Sequence, residues 1–303
     1  MLTDAELEQL LVDGYVVKPG LLDPQLCALA RNKLWGLNDL PRLIRDDPSS
    51  FGPFSAGEEM PRTEGRLLDK QLEIARPQMS RRGYGFWMSA FDTQRDPDLL
   101  DLLPRNPQVQ AIAAQLLGAD RLVSAVGGEP EMAPGDPDGA EPFQTGQATR
   151  GIYCTLPRTG AAAETDQPCE AGARGGPPRG GHWDNVFDPA GASTVCLLAS
   201  AYIDDVPKSG GGFVLWPGSH RRNWRYHSEH HSAGLPRPEG RRAPNGDGIE
   251  DLPNHIMADS PPVECYGPAG TVVFWHAMVL HAAGINKVRP AHQDLQDGHS
   301  HGA

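Results

Sequence analysis

The spacing of hydrophobic positions changes character near residue 121. Before it, helical periods dominate. Leu7, Leu10 and Leu11 fall on one helical face, and Thr3 with Glu6 three residues later has the form of a capping box. Asp13-Gly14 ends that helix, and Tyr15-Val16-Val17 reads as a short strand. Asp23-Pro24 opens a second helix that continues through Leu26, Leu29 and Leu34, since proline suits a first helical turn. A further helix is predicted over Pro107–Leu117, stopped by Gly118. Residues 38–90 show no clear period and read as irregular.

Beyond residue 121 the pattern shortens to β-prone runs separated by turn residues: Leu122–Val126, Gly151–Leu156, Thr194–Ile203, Gly212–Trp216, Val263–Tyr266 and Thr271–Phe274. Short strands broken by glycine and proline predict a sandwich or barrel, not alternating strand-helix units. Two stretches, Arg158–Gly181 and residues 227–261, read as long polar loops, and the tail His292–Ala303 carries no strand pattern. A length of 303 residues holds one large domain or two small ones, and 39% hydrophobic content is enough for a core. The 35 glycines and 29 prolines argue for turns and long loops over a helical bundle.

Charge and cysteine usage narrow the partners. The net charge of -12 disfavours nucleic acid, whose phosphates need clustered Lys and Arg. The short basic stretch Arg221, Arg222 and Arg225 reads as a solvated loop, or as a contact for one anionic substrate. Five scattered cysteines without a CxxC pair form no disulfide framework, so a reducing compartment is expected. The opening segment lacks the basic start and apolar block of a signal peptide, and no apolar run is long enough to span a membrane. These features predict a cytoplasmic protein.

The fragment His182-Trp183-Asp184 carries the most chemistry. In a strand, residues i and i+2 share a face, so this pair can aim an imidazole and a carboxylate at one point. A second imidazole from elsewhere would complete a facial triad with open positions on Fe(II). His276 and His281 are the candidates, and their odd offset points them to opposite faces of a regular strand. Trp183 points away from the pair by the same parity and reads as a packing residue. His227, His230 and His231, among polar neighbours, read as a solvated loop cluster.

Longer motifs add a resemblance. Gly210-Gly-Gly-Phe-Val-Leu-Trp-Pro-Gly-Ser-His220 resembles the glycine-strand-PGSH element of the phytanoyl-CoA dioxygenase family. The run Gly270–Asn286, with His281 as its later histidine, is similar to that family's final strand pair, and residues 2–23 resemble its helix-strand-helix opening. The resemblance implies a mainly β fold with flanking α-helices, a double-stranded β-helix (a cupin-like jelly roll). It implies a single dioxygenase domain over residues 1–303: a mostly helical part to 120, a β-helix core over 121–290 and a tail over 291–303. It further implies Fe(II) held by His182, Asp184 and His281, with 2-oxoglutarate as cosubstrate, O2, and a small organic substrate that is hydroxylated or otherwise oxidised. His220 would shape the turn after its strand and leave the metal to others. Related halogenases lack the carboxylate ligand, so the presence of Asp184 implies hydroxylation or another oxidation.

The family's 2-oxoglutarate arginine corresponds best to Arg289, which stands a few residues early and directly before Pro290; Ile152 would line the cosubstrate side of the pocket. That departure keeps two alternatives in view: a non-catalytic binding protein on the same fold, and a cupin-like metalloenzyme that does without 2-oxoglutarate.

Overall fold

The structure is a computed structural model that describes residues 1–36, 44–45, 76–79, 86–89, 97–103, 105–118, 181, 183, 197–232, 252–284 and 286–288. Helix α1 (Asp4–Asp13) begins at the expected capping box: Glu6 N–H donates to the Thr3 side chain, and the Glu6 carboxylate accepts from Thr3 N–H. Gly14 ends it in the left-handed conformation at φ 85°, which glycine adopts without a Cβ penalty. Strand β1 (Tyr15–Lys18) and helix α2 (Pro24–Gly36) follow. A hairpin of β2 (Arg76–Met79) and β3 (Phe86–Ser89) comes next, then α3 (Pro97–Leu102) and α4 (Pro107–Leu117). Asn106 caps α4 by accepting from Gln108 N–H and Val109 N–H, and Pro107 occupies its first turn.

The second half supplies β4 (Leu197–Ala201), β5 (Phe213–Leu215), α5 (Ser219–Ser232), α6 (Leu252–Asp259), β6 (Val263–Glu264), β7 (Val272–His276) and β8 (His281–Ala283). One antiparallel sheet has the order β1-β7-β4, and another has the order β6-β5-β8. Tyr15 pairs with Trp275 and Leu198 with the same residue from the other side, so the chain's first strand is an edge of a sheet centred on β7.

Side-chain alternation sorts the core into layers. On β7, Val272 and Phe274 face a helical layer in which Leu22, Cys27, Leu102 and Ile112 are buried. Val273 and Trp275 face the other way and meet Phe213 and Leu215 of the second sheet. The outer face of that second sheet, Val214 and Ala282, is covered by Ile256 and Met257 of α6. Strand β7 is apolar on both faces because both are covered, and Val272–Trp275 are each at most 4% exposed. Burying each of these side chains contributes about 1.5–3 kcal/mol. The Tyr202 hydroxyl stitches the second sheet together, donating to Cys265 O and accepting from Phe213 N–H, each at 2.8 Å.

Several sequence expectations are corrected. Residues 38–90 include the β2–β3 hairpin, whose Pro77 is tolerated in a two-stranded unit. The supposed loop over 227–261 contains the end of α5 and all of α6, so His227, His230 and His231 lie in a helix. The strand expected at Tyr15-Val16-Val17, by contrast, is present as β1 and joins the sheet centred on β7. The runs Leu122–Val126 and Gly151–Leu156, including Ile152, lie outside the described residues. Among the described residues, no helix is long and apolar enough to cross a membrane, and Cys27 and Cys265 are free and buried.

A Cβ on Gly212 would stand 1.9 Å from the carbonyl oxygen of Cys265, a backbone atom with nowhere to go. Gly212→Ala is therefore expected to destabilise the protein by about 3 kcal/mol or more, by prying β5 from β6. Urea unfolding checks this.

Candidate metal centre

His281 opens β8 opposite Leu215. The register puts its side chain on the face shared with Leu215, between the two sheets, and leaves Val214 and Ala282 on the outer face. The residue is 3% exposed. Its ring stacks on Phe213 at 5.0 Å and 28°, and Trp275 of the opposite sheet closes at 5.6 Å. Phe213 and Trp275 also touch each other, with centroids 4.4 Å apart. An aromatic wall drawn from both sheets thus holds the imidazole.

The ring's orientation is fixed by its own backbone. Nδ1 lies 2.9 Å from Val279 O, and a carbonyl only accepts, so Nδ1 carries the proton. In that tautomer Nε2 presents its lone pair, the arrangement in which histidine ligates metals. Among the described residues, Trp275 Nε1 is buried without a hydrogen-bond partner in the same inter-sheet space. A buried, oriented imidazole beside an unused donor fits a metal that carries an oxygen-bearing ligand.

The remaining predicted site residues divide plainly. His182, Asp184, Ile152 and Arg289 lie outside the described residues, and among those described no three His, Cys, Asp or Glu side chains converge. Gly181, which precedes the HxD fragment, and Trp183 at its centre are described. Trp183 packs on the outer cluster that includes Trp216, Met257 and Leu280, as expected of a packing residue. A Cβ on Gly181 would stand 2.8 Å from Met257 Sδ and 3.4 Å from Leu280 Cγ. Both residues therefore lie against the cluster that includes Leu280, the residue before His281.

His276 ends β7 on the opposite side from Trp275, away from His281. The two histidines sit on different strands joined by a turn, so the single-strand parity used above does not describe them. His276 Nδ1 accepts from Met278 N–H at 3.1 Å, and its ring meets that of His220 at 5.4 Å. His220 belongs to α5, not to a turn, and its ring lies where a Cβ on Gly14 would be. Next to it, Arg221 donates to Leu11 O at 2.8 Å and Gly218 N–H to Asp13 O at 2.8 Å. The PGSH segment therefore grips the C-terminal end of α1. Arg221 is engaged in that contact and Arg222 pairs with Asp259 at 3.0 Å; both contacts are exposed, as expected of a solvated stretch, but the residues stand on α5 and not in a loop.

The sequence model of phytanoyl-CoA dioxygenase (PhyH) matches residues 10–289. The chain belongs to this family. Members of the phytanoyl-CoA dioxygenase family depend on Fe(II) and 2-oxoglutarate. Among solved structures, the chain is similar to SnoK, a non-heme alpha-ketoglutarate-dependent carbocyclase from nogalamycin biosynthesis. The identity is 16% and the TM-score 0.48, over 95% of this chain and 79% of that one. It is also similar to the epimerase SnoN in complex with Fe3+, alpha-ketoglutarate and nogalamycin RO, at 18% identity and TM-score 0.46, over 95% and 78%. AviO1 from Streptomyces viridochromogenes Tue57 is 17% identical with TM-score 0.42, over 96% and 92%. No curated protein matches the sequence.

Burial, with the neighbouring His276 and Arg221 charges, pushes the His220 pKa down to about 4; burial lowers that of His276. Between about pH 4 and 6.5 the unfolded chain then binds more protons than the folded one, so this stability is present above pH 6.5 and is lost as the pH falls toward 4. His220→Gln is expected to flatten that slope in thermal melts recorded from pH 4.5 to 7.5.

Proposed function

We propose that the chain is an Fe(II)- and 2-oxoglutarate-dependent dioxygenase that hydroxylates or otherwise oxidises a small organic substrate. The observation that carries this reading is His281: buried between the sheets, walled by Phe213 and Trp275, with Nδ1 committed to Val279 O. His182, Asp184 and His281 are the proposed ligands. Support for the first two comes from their neighbours. Gly181 and Trp183 lie against the outer cluster on the sheet that carries His281, which brings this part of the chain to that sheet. Arg289 is proposed to pair with the distal carboxylate of 2-oxoglutarate through its guanidinium fork, and Ile152 to line that side of the pocket.

The proposed architecture is a double-stranded β-helix in one domain over residues 1–303, with core strands over 121–290. The layering of two antiparallel sheets around a shared interior supports it. When bound, iron and 2-oxoglutarate supply the oxidising chemistry, consuming O2 and yielding succinate and CO2. The chain's part is to bind and orient. His281 offers Nε2 in a fixed direction, the aromatic wall keeps water from the ring, and Asp184 supplies negative charge that suits Fe(II). A cytoplasmic setting suits the free thiols of Cys27 and Cys265; burial raises both pKa values, that of Cys265 to about 12, which keeps them protonated.

Purified enzyme reconstituted anaerobically with Fe(II) and 2-oxoglutarate is expected to show the weak visible metal-to-ligand charge-transfer band. His182→Ala and Asp184→Ala should lose the band and lower 2-oxoglutarate turnover by more than about 100-fold. Arg289→Ala should weaken 2-oxoglutarate binding about 10- to 100-fold, the worth of a charge-assisted pair, with iron affinity little changed. Normal turnover in Asp184→Ala sinks the ligand assignment.

A further inference from the structure

Two polar residues of α5 have no place in the family chemistry described above, yet both are buried completely. Ser219 is 1% exposed and Asn223 is 0% exposed. They stand four residues apart on one face of the helix, and that face is turned to the backbone of Ala277–Leu280. Ser219 Oγ accepts from Leu280 N–H at 2.8 Å, and Asn223 Nδ2 donates to Met278 O at 2.6 Å. Trp216 N–H adds a bond to Leu280 O at 3.0 Å.

These bonds hold particular peptide planes. Leu280 N–H and Val279 C=O belong to one peptide group, which is planar and trans, so fixing the direction of one fixes the other. Val279 O is the atom that receives His281 Nδ1 at 2.9 Å. Ser219 therefore aims the carbonyl that aims the ring. The preceding plane contains Met278 C=O and Val279 N–H; Asn223 holds the first, and His276 O accepts from the second at 2.8 Å. Both peptide groups flanking Val279 are thus locked from outside the turn. Asn223 does so although its Oδ1 is buried without a partner among the described residues, a desolvation cost that an apolar side chain would avoid.

We infer that Ser219 and Asn223 are positioning residues for His281, setting through the Val279 peptide the tautomer and direction in which its Nε2 meets a divalent metal. The inference rests on the proposed reading of His281 as an iron ligand. Removing the Ser219 hydroxyl leaves Leu280 N–H buried and unpaired and frees the carbonyl to rotate away from Nδ1. The ring then samples orientations that do not serve the metal.

The test is anaerobic titration of the full-length apoprotein with Fe(II) at saturating 2-oxoglutarate, read by the charge-transfer absorbance, beside thermal melts. Ser219→Ala and Asn223→Leu should each raise the Kd for Fe(II) about 10- to 100-fold, as losses of a ligand's outer hydrogen bonds do. Ser219→Thr, which keeps the acceptor oxygen, should stay near the parent value. Ile112→Val, in the helical layer far from the turn, is the control for lowered stability alone and should bind iron like the parent. If His281→Ala loses iron but Ser219→Ala and Asn223→Leu bind it within twofold of the parent, the positioning role is overturned and the ligand stands. Equal weakening in Ile112→Val at matched Tm overturns it as well. If His281→Ala binds iron normally, the ligand assignment and the inference fall together. Should Ser219→Ala not fold, Asn223→Leu carries the same expectation.

Discussion

The turn Ala277–Leu280 carries the chain from β7 in one sheet to β8 in the other, and each of its residues is at most 4% exposed. A buried turn is a demanding object, because it removes backbone donors and acceptors from water without a strand ladder to receive them. Here the partners come from elsewhere: His276 supplies an oxygen and a ring nitrogen, Ser219 an oxygen, Asn223 an amide and Trp216 an N–H. The rest of the arrangement depends on this constraint. Without the crossing the two sheets would not share an interior, and β8 would not deliver His281 into it.

The same constraint explains the PGSH element. Its proline and glycine turn the chain out of β5, its serine meets the buried turn, and its histidine reaches back to Gly14 at the end of α1. A short motif thus joins three parts of the chain: the opening helix, the middle strand and the final strand pair. Gly14 is small for two reasons at once. Its φ of 85° favours glycine, and the His220 ring occupies the space that a Cβ would need.

Legibility in the sequence followed the physics of each segment. The capping box, Pro107 and Gly118 are local signals, and they placed α1 and α4 within a residue or so. Strands β5 and β7 were visible because unbroken apolar runs between glycines have few other uses. Helix α5 was hidden because its described buried positions include Ser219 and Asn223: its inward stripe is polar, so no hydrophobic period announces it. Helix α6 is short, with Ile256 and Met257 as the buried ones among its described side chains, too few to define a period. As for the site, His182 and Asp184 lie outside the described residues, and residue type and offset left His276 and His281 as equal candidates until the family resemblance favoured the later one. The Val279 carbonyl could not, since nothing in a side-chain sequence says where a main-chain oxygen points. Trp183 was legible as a packing residue, while His276 and His281 were compared as members of one strand when a sheet-changing turn separates them.

The pairing of Tyr15 with Trp275 spans about 260 residues of chain. During synthesis at roughly 5–20 residues per second, the first strand leaves the ribosome tens of seconds before its partner exists. The sheet centred on β7 cannot close in that interval, and neither can the interior that holds His281. Helices α1 and α2 need only local contacts but are marginal alone at this length, so the early chain waits with its strand edge open. For this protein the interior around His281 is a late product of translation, and a nascent chain stalled short of β7 presents an open strand edge for wrong partners to join.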